Sequence, residues 1–359
     1  MLRAALPLFL TLFGLGLLTA CEKHLSSAQT NQPSLVTVQS QLITPWHQSF
    51  ASASSELKVR IVRFCQHPAN PGEYQEARAA WLASMLAWQQ VNLMKFGPIS
   101  QDNQGAKVQF WPDNYNLVEK KVQALLSENE QITDEVLSNA SEVVQGLSAM
   151  EFLLFDPQYT DSAALSGKPC DLLRLAANRV ETVATGLQNA WQKGSPGAWQ
   201  PALLLAGSAA EKAALTDLVR TLVVSLEIIQ NAKLAGPIGS LTNPEAKPLQ
   251  SESWRSTSGK AALLIQLKGA SALFEQGLAP FLKSLEQQSL RRNLQENLNT
   301  TILALEANPA ELITLINTET GRTLLVSSAL ALGKINGLLK HEIPQSLNLQ
   351  MGFNSEDGG

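Results

Sequence analysis

Ser148 and Glu151 stand three residues apart, a spacing that turns two side chains to the same side of a helix. Val136, Leu137, Val143, Val144, Leu147, Met150 and Leu154 form an apolar stripe along this segment, and Glu151 falls on or beside it. A carboxylate there either reaches water from the edge of the stripe or is held inward by partners, because a buried charge is costly unless paired or metal-bound. Spacing alone favours the first arrangement; the second would make Glu151 a ligand- or metal-binding group. Gly146 weakens a helix but lets another backbone approach closely.

Two polar loops carry aromatic residues beside groups that bind ions. They are Gln109-Phe110-Trp111-Pro112-Asp113-Asn114 and Glu252-Ser253-Trp254-Arg255-Ser256. Asp113 and Glu252 offer carboxylates, Trp111 and Trp254 could wall a pocket, and Arg255 could bind an anion or fix a carboxylate bidentately. Capping explains the same residues in another way. Asp113 or Asn114 could cap a helix starting at Tyr115, and Ser256 or Thr257 the helix after it. The two roles are compatible. The chain closes on the polar segment 352–359, either a specified structure or a frayed tail. Hydrolase signatures are missing. There is no His-Glu-x-x-His helix, and Gly146-x-Ser148 lacks the second glycine of a Gly-x-Ser-x-Gly elbow.

Helices must position these residues. Apolar residues recur at three-to-four-residue intervals through 35–64, 74–94, 115–127, 133–155, 169–193, 208–234, 257–287, 288–305 and 319–342. In the second stretch Ala77, Ala80, Trp81, Met85, Trp88 and Val91 share one face. No period-two strand is visible, and Gly and Pro cluster between the stretches, so the predicted fold is all-α, built from helical bundles. A weak repeat supports two related halves. Phe96-Gly97-Pro98-Ile99 and Ala235-Gly236-Pro237-Ile238 each end a helix, and each precedes an Ala-Lys pair and a tryptophan, Trp111 or Trp254. Further on, 146–150 echoes 269–273. The predicted halves are 34–193 and 200–359, with a boundary between Gln192 and Pro201.

The N-terminus predicts export. Arg3 precedes an apolar run from Ala4 to Leu18 that is short for a bilayer span, and Leu18-Thr19-Ala20-Cys21 resembles a bacterial lipobox. Residues 1–20 then form a signal peptide, Cys21 carries the lipid, and the polar residues 21–33 form a tether. Several acyl chains on one residue anchor stably where one is marginal. Glu22, where aspartate would retain a lipoprotein in the inner membrane, favours the outer membrane, facing the periplasm. Beyond Cys21 only Cys65 and Cys170 remain. In an oxidising compartment such a pair is usually bridged, the alternative being two buried thiols. A bridge would stabilise the fold by ~4–5 kcal/mol through loop closure. The net charge of −4 and the lack of a basic run exclude nucleic acid as a partner.

Taken together, Trp81 to Trp88, Phe96 to Asp113, Gln145 to Asp156, Glu252 to Ser256 and Gly352 to Gly358 make the chain resemble the imelysin-like proteins, the M75 peptidase family. The resemblance implies two helical-bundle halves with a pocket between them, in periplasmic or lipid-anchored proteins often linked to iron uptake. It implies a disulfide, since Cys65 and Cys170 match a family cysteine pair. It also implies a ligand-binding set of Gly146, Ser148, Glu151, Trp111, Asp113, Glu252, Trp254, Arg255, Asn354 and Asp357. The family motif is Gly-x-His-x-x-Glu. Gly146 and Glu151 fill their places, but Ser148 stands where histidine is expected. Serine is a poor ligand for transition metals, whereas oxygen ligands such as Glu151, Asp113, Glu252 and Asp357 favour a hard cation, ferric iron included. His67 and His47 could join only by folding back. The expected occupant is a small ligand or a metal ion, iron or another divalent, with Glu151 as its central carboxylate. The expected partners are the membrane, through the anchor, and iron-uptake or envelope proteins. An envelope scaffold is the alternative function. A metallopeptidase, which needs a polarising metal and a base, fits less well without the histidine.

Overall fold

A computed structural model describes residues 34–351 apart from 114, 160, 241, 243 and 244. Cys21, the signal and tether segments, Asn114 and the C-terminal Asn354 and Asp357 lie outside the described residues. All regular elements described are helical. In chain order they are α1 (35–66), α2 (Pro71–Val91), α3 (Gln104–Val108), α4 (Leu117–Glu128), α5 (Asp134–Asn139), α6 (Leu147–Phe155), α7 (Lys168–Lys193), α8 (209–235), α9 (259–284), α10 (Gln288–Ala307), α11 (Leu312–Asn317), α12 (Glu319–Lys340) and α13 (Glu342–Ser346), with short 3₁₀ turns between some of them.

Local chemistry sets these boundaries. Asn70 accepts from the N–H groups of Gly72 and Glu73 and caps α2, with Pro71 in its first turn. The face of α2 that reads as apolar is buried, with Trp81 and Trp88 among the largest fully buried side chains. Gly194, at φ 62°, ends α7 in the left-handed conformation that glycine adopts without cost. The N–H of Glu211 caps back onto Ser208 at the start of α8.

α1 packs on α2 and α7 along 44–66, while its first turns lie against α8 and α9. A second layer joins α8, α9, α10, α11 and α12. α2 meets α9 where the two groups touch, and Ser225 of α8 donates to the Leu93 carbonyl at 2.8 Å. The described residues form one unit. Cys65, at the end of α1, is bonded to Cys170 in the first turn of α7, with Cα atoms 5.5 Å apart.

Two expectations change. The stretch 133–155 is three pieces rather than one helix: α5, a 3₁₀ turn at Glu142–Val144, and α6. Ser141 caps the middle piece, and Gln145 spends its amide on the carbonyls of Leu137 and Ala140, so the chain turns before α6 begins. α8 and α9, by contrast, run through as predicted but contain π-helical turns, Ile228–Ala235 and Phe274–Leu278. The first of these carries Lys233.

Candidate functional site

Gly146, the N-cap of α6, stands where nothing larger fits. A Cβ at Gly146 would collide with the carbonyl oxygen of Val108. The loop 109–113 therefore lies directly over the helix start, and Ser148 fastens it by donating to the Phe110 carbonyl at 3.0 Å. Gly259 does the same for the second loop, since a Cβ there would strike the Glu252 carbonyl. Gly269, the glycine that the repeat pairs with Gly146, instead packs against the Leu93 side chain. Ser253 and Thr257 hold positive φ angles of 51° and 55°, uncommon for residues with side chains.

Glu151 is 7% exposed and points inward, so the arrangement favoured by spacing alone is overturned. The reason lies in partners remote in sequence. Oε1 accepts from the Ser256 backbone N–H at 2.9 Å and from its hydroxyl at 2.7 Å. Oε2 makes no hydrogen bond among the described residues. Burial pushes the Glu151 carboxyl above the ordinary carboxylate range; Ser256 and Arg255 oppose that rise, and the charge of Glu252 adds to it. Ser256 thus serves Glu151, and Ser258 takes the N-cap position of α9.

Arg255 fixes carboxylates of its own chain. Nε donates to Asp156 at 2.8 Å, and Nη2 reaches Glu119 at 3.1 Å and Asn116 at 3.0 Å. Its guanidinium lies over Trp254, 4.3 Å from the ring centroid. Asp113 caps α4, accepting from Leu117 and Val118. Glu252 is withdrawn from the expected oxygen set. It pairs with Lys233 at 2.6 Å, both side chains being 2% exposed, and accepts from Gln109 at 2.9 Å and Gln89 at 3.4 Å. Burial pulls the Lys233 ammonium below its ordinary range, against the pull of Glu252. Trp111 lies over the Lys233 ammonium, 5.1 Å from ring centroid to Nζ.

Glu151, Ser148, Asp113, Trp111, Trp254 and Arg255 nevertheless line one cavity of about 30 Å³, together with Ser253. That is room for one or two water-sized occupants. The Ser253 hydroxyl is buried there without a hydrogen-bond partner. No described histidine lines the cavity. His47 is buried against Trp191, while His67 and His341 are exposed. Among the described residues no group of three or more His, Cys, Asp or Glu is disposed to hold a metal. The donor set does not fit a nitrogen- or sulfur-ligated transition metal. The oxygen groups that line the cavity, Glu151 and the unpartnered Ser253 hydroxyl among them, are of the kind a hard cation prefers.

The model of the imelysin family, peptidase family M75, matches residues 43–338. The chain belongs to the imelysin family. Two solved structures share the imelysin fold. One is an imelysin-like protein from Psychrobacter arcticum 273-4, with a TM-score of 0.74 at 20% identity, covering 89% of this chain and 96% of that one. The other is provisionally described as an iron-regulated protein A precursor, from Parabacteroides distasonis ATCC 8503. Its TM-score is 0.67 at 16% identity, covering 87% of this chain and 96% of that one. No curated protein matches significantly.

Sequence reading missed Lys233, Gln89 and the Ser256 contact in this imelysin-family chain. A signal existed for the first. Lys233 follows Leu226 and Ile229 at helical spacing, so it is a cation set into a buried stripe.

Proposed function

We propose that this chain is a lipid-anchored, periplasm-facing binding protein of an iron-uptake system, and that it is not a peptidase. Its site would take a single small oxygen-seeking cation, ferric iron or a divalent ion, on Glu151. The observation that carries this reading is the Glu151 carboxylate, buried with Oε1 held by Ser256 and without a hydrogen bond to Oε2. Charge supports a cation. Two carboxylates line the cavity, and its one guanidinium already answers Asp156 and Glu119. The Parabacteroides structure, by its description, supports the iron connection.

The anchor rests on the lipobox at Cys21. No helix among the described residues is long and apolar enough to cross a membrane, so attachment would fall to the acylated cysteine. Asp113 spends both oxygens on the start of α4, which leaves Glu151 as the one carboxylate to ligate the ion, so the site should bind weakly, with Kd on the order of 10⁻⁴–10⁻³ M.

Calorimetry on a soluble form beginning after Cys21, with ferric, ferrous and calcium ions in turn, tests the site. Stoichiometric binding of one of them, lost in Glu151→Gln, is expected. Saturable binding that persists in the variant, or none in the folded wild type, would reject the cation reading. Incorporation of labelled palmitate that Cys21→Ser abolishes is the expected sign of the anchor.

A further inference from the structure

Residues 194–210 contain no charged side chain, in a protein of which charged residues make up 16%. Within them runs Pro201-Ala202-Leu203-Leu204-Leu205-Ala206-Gly207, part of the connection between α7 and α8, without a polar side chain. All of these residues are exposed except Leu204, which turns inward and pins the loop to the core. Leu203 is 57% exposed and Leu205 66%. Exposed leucines scattered singly need no explanation, but a contiguous apolar run with no charge beside it marks a surface that meets a partner.

The polar groups around this run are spent on one another. The N–H groups of Leu203 and Leu204 donate to the Gln200 and Pro201 carbonyls at 2.9 and 3.2 Å, and Gly207 donates to the Glu211 carboxylate at 2.7 Å. Pro201 has no N–H to satisfy. The flanking side chains behave alike: Gln200 donates to the Gly194 carbonyl at 3.1 Å, and the Ser208 hydroxyl to the Leu203 carbonyl at 3.1 Å. Unpaired backbone groups are what keep irregular chain out of lipid, and here Leu203, Leu204 and Gly207 already have partners. A protein interface has other chemistry, with aromatic and arginine anchors inside a polar rim. The one aromatic residue of 194–210, Trp199, is buried and bonded to Asp217.

We propose that the loop 201–207 dips into the surface of a lipid bilayer, as a second membrane contact besides the acylated Cys21. For the way the chain reaches the membrane, this rests on the anchor reading above. Residues 21–33 span at most ~45 Å when fully extended. Where the described chain takes over, Val38 of α1 and Leu218 of α8 both lie against Gly277. Leu218 stands ten residues past Ser208, about 15 Å along the helix, so the root of the tether is close to the loop on the scale of the tether itself. Two leucines, like a single acyl chain, bind a bilayer only marginally by themselves; the anchor supplies the proximity at which the contact forms.

The chain beginning after Cys21, which keeps every described residue, can be held by an N-terminal histidine tag on vesicles of phosphatidylethanolamine and phosphatidylglycerol containing nickel-chelating lipid. A fluorophore on Ala206→Cys then reports the loop, and one on Leu303→Cys, an exposed position of α10, serves as control; Cys65 and Cys170 are bonded to each other and do not take the label. Lipids with brominated acyl chains should quench the label at Ala206→Cys and leave the control at its value in solution. Adding Leu203→Gln/Leu205→Gln should abolish that quenching, while thermal unfolding shows the fold unchanged. Quenching at Ala206→Cys no greater than at the control would overturn the proposal and leave the loop to a protein partner. Quenching that survives the double substitution would overturn it as well. Nickel tethering replaces acylation, so this outcome is separate from that of the palmitate experiment.

Discussion

Glu151 and Glu252 are both buried, and both sit where the two predicted loops come together, yet their surroundings are opposite. Glu252 has a full complement of partners: Lys233, Gln109 and Gln89 reach its two oxygens. Among the described residues Glu151 has hydrogen bonds on one oxygen only, from Ser256, and no cation in direct contact. An ion pair sealed in the interior is a structural device whose loss leaves a bare charge. A buried carboxylate with an oxygen unused, beside a cavity, is instead a binding group awaiting its counterpart. Burial alone does not distinguish the two; the list of partners does.

The comparison breaks most visibly at the pair. Glu252→Gln or Lys233→Met should destabilise the fold by about 3–5 kcal/mol, because each leaves the other charge uncompensated. Removing both in Lys233→Met/Glu252→Gln should cost less than the sum of the single changes. Urea unfolding of the four proteins measures this, and strict additivity would show that the pair is not coupled.

His47 sharpens the contrast with a buried group that has no acidic partner. Nδ1 donates to the Ile43 carbonyl at 2.8 Å, and Nε2 is buried without a partner. Burial lowers its pKa from 6.5 to about 4. The unfolded chain then binds the extra proton first, so stability falls as pH drops through the window between these values and levels off below it. The loss amounts to about 3 kcal/mol. His47→Phe should flatten that part of the stability–pH curve; identical slopes in the two proteins would contradict the assignment.

The glycines beneath the loops give a smaller effect. Gly146→Ala and Gly259→Ala each set a methyl group against a backbone carbonyl, which should cost about 1–3 kcal/mol. Gly146→Ala should in addition weaken cation binding, because the displaced loop carries Asp113 and Trp111. Gly259→Ala should disturb the Glu252 pair instead. Thermal unfolding with parallel cation titration separates them, and equal effects on binding would remove the distinction.

Much of this was legible in the sequence, and what was not has one cause. Periodicity placed α2, α7 and α12, because each buries one continuous face. Asp113 was readable as a cap because its partners lie four and five residues away. The inward turn of Glu151 was not readable, since it depends on Ser256, 105 residues later. Glu252 was read as a ligand because Lys233 lay unnoticed in a helix described only by its apolar spacing. Arg255 was left open between anion and carboxylate until Asp156 and Glu119, far apart in sequence, came together on it. The helix expected over 133–155 failed at Ser141 and Gln145, whose side chains compete for backbone groups in a way that apolar periodicity does not register. Sequence spacing reports faces, whereas the chemistry of this site is set by pairings between faces.

The central claim is that Glu151 binds and Glu252 builds. It is tested most directly by measuring unfolding free energy and cation affinity together on Glu151→Gln. The account predicts stability within about 1 kcal/mol of wild type, because glutamine keeps a hydrogen-bond acceptor for Ser256 and removes a charge that burial disfavours, with cation binding lost. A loss of several kcal/mol with affinity intact would contradict it, and would make Glu151 a second structural carboxylate.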